Sequence, residues 1–129
     1  ACYRDQETSQ RVNVDSTKHI LDLCLKLNIQ PIFFSSDYVF TPQNRALKED
    51  DERSPSTIYG KQKKEIEDYI QDNFDHYLIL RTSKLMSLSP HPRNILSSLI
   101  NPIKRGELVQ AYGDQWFNAV FIEDIAEVL

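Results

Sequence analysis

Ile29-Gln30-Pro31-Ile32-Phe33-Phe34-Ser35-Ser36 is a nearly continuous apolar run that ends on two serines. A short run of this kind suits a strand buried on both faces, as in a parallel sheet. Pro31 then belongs at the strand's first residues, where a missing N–H is tolerated. Upstream, residues from about Ser9 to Asn28 show helical spacing, with Val12, Ile20, Leu23, Cys24 and Leu27 on or near one face. Downstream, Thr41 to Ser54 is polar and carries the cluster Glu49-Asp50-Asp51-Glu52, which reads as a solvated loop because a simple acidic run lacks the geometry of a cation site. Ser54-Pro55 looks like a helix start, a capping serine with proline at the first helical position, and that helix should run to about Asn73.

Further along, Tyr77 to Arg81 reads as a second buried-type strand. Asn94 to Arg105 should form a third helix that closes at Gly106, with Pro102 kinking or shortening it. Leu108 to Tyr112 and Phe117 to Phe121 are candidate short strands before a last helix from Ile122 to Leu129. Helices and strands in alternation imply an α/β fold with parallel pairing.

The bulk properties narrow the function. The 129 residues are 40% hydrophobic, enough for one ordinary domain. A net charge of −4 and an isoelectric point near 5.3 argue against a nucleic-acid surface or an acidic-membrane binder. No apolar run reaches the length of a membrane span, and the start does not read as a signal peptide. Cys2 and Cys24 lack metal-ligand company, which suits a reducing, cytoplasmic setting and two buried small apolar groups. His19, His76 and His91 are scattered without ligand spacing, so no metal is expected. Trp116 beside Phe117 reads as core packing, with a lid over a ligand site as the alternative. The chain begins at Ala1, stops within an apparent helix and has only Gly60, Gly106 and Gly113, too few for a phosphate-cradling loop. It is therefore expected to be a fragment of something longer.

Three residues carry chemistry. Ser36 falls at the carboxyl end of a strand, where ligands bind in open α/β sheets. Tyr59 and Lys63, four apart in the next helix, share one face. A tyrosine can act as general acid towards a carbonyl if its pKa is brought down from ~10. An ammonium at about 4 Å would contribute ~4 kcal/mol to that at an effective dielectric near 20. A neighbouring serine hydroxyl can hold the substrate oxygen, and a hydride must come from a nicotinamide. The bare pair is weak evidence, because six tyrosines and eight lysines give roughly 0.4 such pairs by chance. A plain surface Tyr/Lys stack is the competing reading.

The surrounding residues change the balance. Phe34-Ser35-Ser36-Asp37-Tyr38-Val39-Phe40 and Tyr59-Gly60-Lys61-Gln62-Lys63 resemble the extended short-chain dehydrogenase/reductases, in particular the dTDP-4-dehydrorhamnose reductase branch. Glu49, Asp50, Pro55 and Glu67 fall where that pattern places them. Leu80-Arg81-Thr82-Ser83, Gly113-Asp114-Gln115, Phe121-Ile122-Glu123-Asp124-Ile125-Ala126 and Asn13-Val14 resemble further segments in the same order. Gln62 replaces the usual Ser/Thr, at a position expected to face elsewhere. Lys84 stands where an aromatic is common, and Leu85-Met86-Ser87-Leu88 where a glycine is expected.

The resemblance implies a partial Rossmann-type doubly wound parallel sheet. Residues 1–83 would be the later part of the dinucleotide-binding domain, and 84–129 the beginning of a substrate-binding region. It assigns Ser36, Tyr59 and Lys63 as the catalytic triad, with Tyr59, Lys63 and Ala1 towards an NADP or NAD cofactor. Ser36, Asp37 and Tyr38 would face a nucleotide-sugar substrate. The activity implied is reduction of a keto group on a nucleotide-activated deoxysugar. An epimerase or dehydratase with tightly held NAD is the sister reading, and a non-catalytic regulatory subunit the other. Dehydratases place Asp-Glu right after the serine, whereas Asp37-Tyr38 follows Ser36 here. A homodimer through helices about 9–28 and 55–73 is also implied. The family's glycine fingerprint lies upstream of this segment, so the segment alone is expected to be inactive and to leave central strands as edges.

Overall fold

The computed structural model describes residues 2, 4–87, 95–110, 113 and 118–129. Ala1, His91, Trp116 and Phe117, the expected helix start at Asn94, Asp114-Gln115 and the end of the strand expected at Tyr112 lie outside them. The chain divides into two compact units, Ala1–Thr82 and Ser83–Leu129.

The first unit opens with helix α1 (Gln6–Gln10), capped by the Asp5 side chain, which accepts from the Thr8 N–H at 2.9 Å. A π-helical turn, Arg11–Asp15, follows, and α2 (Ser16–Leu27) continues from it. Asn28 closes α2 in the left-handed conformation at φ 54°, and the Ile29 N–H returns to the Cys24 carbonyl at 2.8 Å.

The buried face of this helical stretch is not the one that the spacing of its apolar residues suggests. Val14 and Leu21 point into the core and Cys24, of the expected face, packs half-buried against it, while Val12, Ile20, Leu23 and Leu27 are exposed, Ile20 by 61% and Leu27 by 67%. The inward side also carries Lys18 and Asp22. These pair with Glu65 (2.7 Å) and with the Tyr69 hydroxyl on the neighbouring helix. A face lined partly by satisfied polar groups lies inward, and the more apolar face lies outward.

Strand β1 (Ile32–Ser36) pairs in parallel with β2 (Leu78–Thr82), from Ile32 opposite Leu78 to Ser36 opposite Thr82. Pro31 stands just before β1, and its carbonyl accepts the Leu78 N–H at 3.0 Å. Between the strands runs α3 (Ile58–Asn73). Val14, Leu21, Ile66, Ile70 and Phe74 form the core, against which Phe33 and Ile79 pack from one face of the sheet. The side chains that alternate with them, Ile32, Phe34 and Leu78, are exposed. Burial of β1 on both faces is thus corrected to burial on the face covered by α2 and α3.

In the second unit β3 (Lys84–Met86) pairs in parallel with β4 (Ala119–Phe121), and α5 (Ile122–Val128) follows directly. Helix α4 (Ile95–Lys104) ends two residues after Pro102. Gly106, at φ 73°, provides the left-handed turn that lets the Glu107 N–H reach the Pro102 carbonyl at 3.0 Å. Leu108–Gln110 form no strand, contrary to expectation, and Leu108 is fully exposed, so no partner or core holds it extended. Among the described residues no helix is long and apolar enough to cross a membrane.

Candidate functional site

Ser36 ends β1, and Tyr59 and Lys63 stand on the helix packed beside it. Ser36 is the last residue of that strand, extended and buried. The chain then turns through one 3₁₀ turn, Asp37–Val39, initiated by Ser36 itself: its hydroxyl accepts the Tyr38 N–H at 3.3 Å and donates to Asp37 Oδ1 at 3.0 Å. Val39, fully enclosed, anchors the turn.

The opposing wall is the first two turns of α3. Its cap is Thr57 and not Ser54: the Thr57 hydroxyl accepts the Gly60 N–H at 3.0 Å. Ser54 is held elsewhere, its carbonyl accepting from the Thr41 hydroxyl and so closing the loop between them. Gly60 sets how closely the helix approaches the turn. A Cβ placed on it would lie 2.0 Å from the Tyr38 carbonyl oxygen and 2.9 Å from Pro55 Cβ. Since the obstacle is backbone, it cannot swing aside. Gly60→Ala should therefore lower stability by about 2 kcal/mol, overpacking outweighing the ~1 kcal/mol gain in helix propensity. A urea titration reads this directly, and an unchanged or raised midpoint would contradict the assignment.

This close approach brings the Tyr38 and Tyr59 rings edge to face, with centroids 6.0 Å apart. Lys63 Nζ lies over the Phe33 ring at 4.5 Å and 5.7 Å from the Tyr59 ring centroid. It donates to the Phe34 carbonyl at 2.8 Å. The ammonium is thus turned towards the main chain of β1, and the phenol does not feel the lowering anticipated from the spacing. Burial pushes the Tyr59 hydroxyl above its ordinary value, and Cys2, Asp37 and Tyr38 push in the same direction. Burial lowers the Lys63 pKa, partly offset by Glu67.

Two features escaped the sequence reading. Gln62, expected to face elsewhere, is buried and accepts from Ser9 Oγ at 3.0 Å and Asn13 Nδ2 at 2.9 Å, while its own amide donates to Gln10 at 3.3 Å. It joins the catalytic-type helix to α1 and the π turn. The only sequence signal was the polar spacing of Ser9, Gln10 and Asn13. The acidic loop, in turn, is tied down: Arg45 grips Asp51 with both prongs at 2.8 and 2.7 Å, and the Asp51 carboxyl drops to about 2. Cys2 and Cys24 are free thiols, half-buried and not enclosed, and Asn13 Nδ2 lies 3.9 Å from Cys2 Sγ. Among the described residues no cluster of three or more His, Cys, Asp or Glu side chains could hold a metal ion.

A parallel β–α–β segment with a serine at the first strand's carboxyl end and a tyrosine and a lysine on the following helix has the Rossmann-type fold of the solved structures it resembles. More narrowly, the chain belongs to the RmlD substrate binding domain family, whose model matches residues 1–129. It is 28% identical over 119 residues to the dTDP-4-dehydrorhamnose reductase of Aggregatibacter actinomycetemcomitans, covering 92% of this chain and 40% of that protein. Among solved structures it resembles the dTDP-4-dehydrorhamnose reductase of Bacillus anthracis in complex with NADP (TM-score 0.81, 22% identity, 90% of this chain and 41% of that one). It also resembles the UDP-N-acetylglucosamine 4-epimerase of Methanobrevibacter ruminantium M1 in complex with UDP-N-acetylmuramic acid (TM-score 0.74, 25% identity, 92% and 42%). The chain thus spans about two fifths of the length of these relatives.

Proposed function

We propose that this chain is the catalytic-residue segment of a nucleotide-sugar oxidoreductase that reduces a keto group with NADPH or NADH. The observation that carries the reading is the Tyr59–Lys63 pair on α3, packed against the turn that Ser36 initiates at the strand end, in a chain whose named relatives are dTDP-4-dehydrorhamnose reductases. The residues present suit a nicotinamide ribose and a carbonyl. Among the described residues the Tyr59 hydroxyl has no hydrogen-bond partner, and only one of the three Lys63 ammonium hydrogens is taken, by the Phe34 carbonyl. Lys63 and Tyr59 would hold the ribose, and Ala1 would approach the same cofactor.

A bound reduced nicotinamide supplies the hydride to the carbonyl carbon. Everything else falls to side chains. The Ser36 hydroxyl, released from Asp37, orients the carbonyl oxygen, and Tyr59 gives its proton to that oxygen as it becomes a hydroxyl. A raised phenol pKa suits this direction, because the proton to be given is present at neutral pH. Asp37 and Tyr38, both exposed beside the site, would contact the sugar. Residues 1–83 would serve the cofactor and the proton transfer, and 84–129 would begin the substrate-binding part. The setting proposed is cytoplasmic. A homodimer would use the exposed stripe Ile20, Leu23 and Leu27 of α2; α3 offers no exposed large apolar side chain to match it.

Following NADPH oxidation at 340 nm by the full-length protein with dTDP-4-keto-6-deoxysugars tests the reading. Cofactor oxidation with formation of the 4-hydroxy sugar supports it. Interconversion of UDP-sugars without net cofactor oxidation would transfer the assignment to an epimerase, and tight binding to a partner enzyme without turnover to a regulatory subunit.

A further inference from the structure

The proton-transfer chemistry makes no use of Glu67, yet this carboxylate is fully buried one turn beyond Lys63. Arg81, next to last in β2, grips it with two prongs: Nε to Oε1 at 3.0 Å and Nη2 to Oε2 at 2.8 Å. Arg53, from the loop before α3, donates to Oε2 at 2.9 Å. Both arginines reach onward, Arg81 to the Glu49 carbonyl at 2.7 Å and Arg53 to Gln71 at 3.0 Å and Asp68 at 2.8 Å. The Ser35 hydroxyl lies near enough to favour the charged carboxylate without making a hydrogen bond of good geometry. Arg81 is also the register partner of Ser35, the residue before Ser36, and stacks over Phe40 at 5.0 Å. One carboxylate therefore joins the helix of Tyr59 and Lys63, the strand beside Ser36 and the acidic loop.

We propose that Glu67 is a positioning residue for the site: its grip on Arg81 fixes the register of α3 against the strand end that carries Ser36, and its charge faces Lys63 along the helix. The inference rests on the reading of Lys63 given above. Burial of a charge is unfavourable without such partners, so the arrangement favours specificity of geometry over bulk stability. Lys63 is faced by Glu67 and Tyr59 from its own helix and by the Phe34 carbonyl and Phe33 ring from β1. Tyr59 is in turn faced by Asp37, Tyr38 and Cys2. Arg81, Arg53 and Ser35 surround Glu67 from β2, the loop and β1.

The test is an NMR pH titration of the full-length protein with ¹³C-dimethylated lysines, the Lys63 signal being assigned by its loss in Lys63→Arg. In Glu67→Gln the Lys63 midpoint should fall by about half to two pH units, since a facing negative charge at helical i,i+4 range is removed. Because that variant leaves Arg81, largely shielded from solvent, without its counter-charge and can unfold, Glu67→Gln/Arg81→Gln is titrated beside it. With both charges gone, the midpoint should fall in the same direction. An unmoved midpoint in a folded variant overturns the proposal, even where stability or turnover has dropped. The titration needs no substrate, so a wild-type protein without reductase activity sinks the proposed function and leaves this inference to be decided separately.

Discussion

Tyr59→Phe is expected to lower turnover by a factor of about 10² to 10⁴ while leaving the fold in place, because general acid catalysis contributes on that scale. The substitution removes only the hydroxyl. The ring still meets Tyr38 edge to face and still lies beside the Lys63 ammonium, and no described hydrogen bond depends on the oxygen. Thermal unfolding should therefore match the wild type, separating a chemical loss from a structural one. The pH profile adds a second check. Burial, Asp37, Tyr38 and Cys2 hold the Tyr59 pKa up, so the acid form persists through neutrality. Reduction should be flat near neutral pH and fail only on the alkaline side. Retention of more than a tenth of wild-type turnover would mean that another group delivers the proton.

Glu67→Ala should cost about 3–5 kcal/mol at neutral pH, the range for breaking a buried pair by removing one partner. Arg81 would lose the carboxylate that neutralises it and has little solvent to turn to, while Arg53 would keep only the Asp68 carboxylate. The acid dependence should change as well. Although burial, the largest influence, raises the Glu67 pKa, the bonds from Arg81 and Arg53 and the nearby Ser35 hydroxyl together bring it below the ordinary glutamate value. A carboxyl depressed in the folded state contributes stability that is fully present above its unfolded pKa of ~4.3. That contribution is lost as pH falls through the lower folded value. Wild-type urea midpoints should therefore drop below about pH 4.5 more steeply than those of the variant, which lacks this limb. Equal slopes would show that the network carries no net charge stabilisation.

Ser36, Tyr59 and Lys63 are placed by local rules: a strand ending on serines, and an i,i+4 pair on the next helix. These rules do not say which way a lysine side chain turns. Lys63 goes to the Phe34 carbonyl, and so the tyrosine that local spacing would acidify is instead held protonated by burial. That Gln62 faces elsewhere follows from its place between Tyr59 and Lys63, but what it meets does not: the polar groups that make its buried position tolerable come from residues 9 to 13, some fifty positions away. The cap at Thr57 was misplaced for a similar reason. Ser54-Pro55 satisfies the local signature, but Ser54 is committed to Thr41 across the intervening loop.

The helix face shows the same limit. Ile20, Leu23 and Leu27 form the more apolar stripe and still point outward. Lys18 and Asp22 can lie inward only because α3 presents Glu65 and Tyr69 at matching heights. By itself the sequence determined what depends on neighbours along the chain: the alternation of helix and strand, the parallel pairing it forces, and the strand-end serine followed by a helical Tyr/Lys pair. Only the tertiary structure decided which face is core, how closely Gly60 lets α3 approach the Tyr38 turn, and that Glu67 connects the helix to Arg81. Those outcomes rest on desolvation and on contacts between segments far apart in sequence, and no local periodicity records what a side chain will meet once the chain has closed on itself.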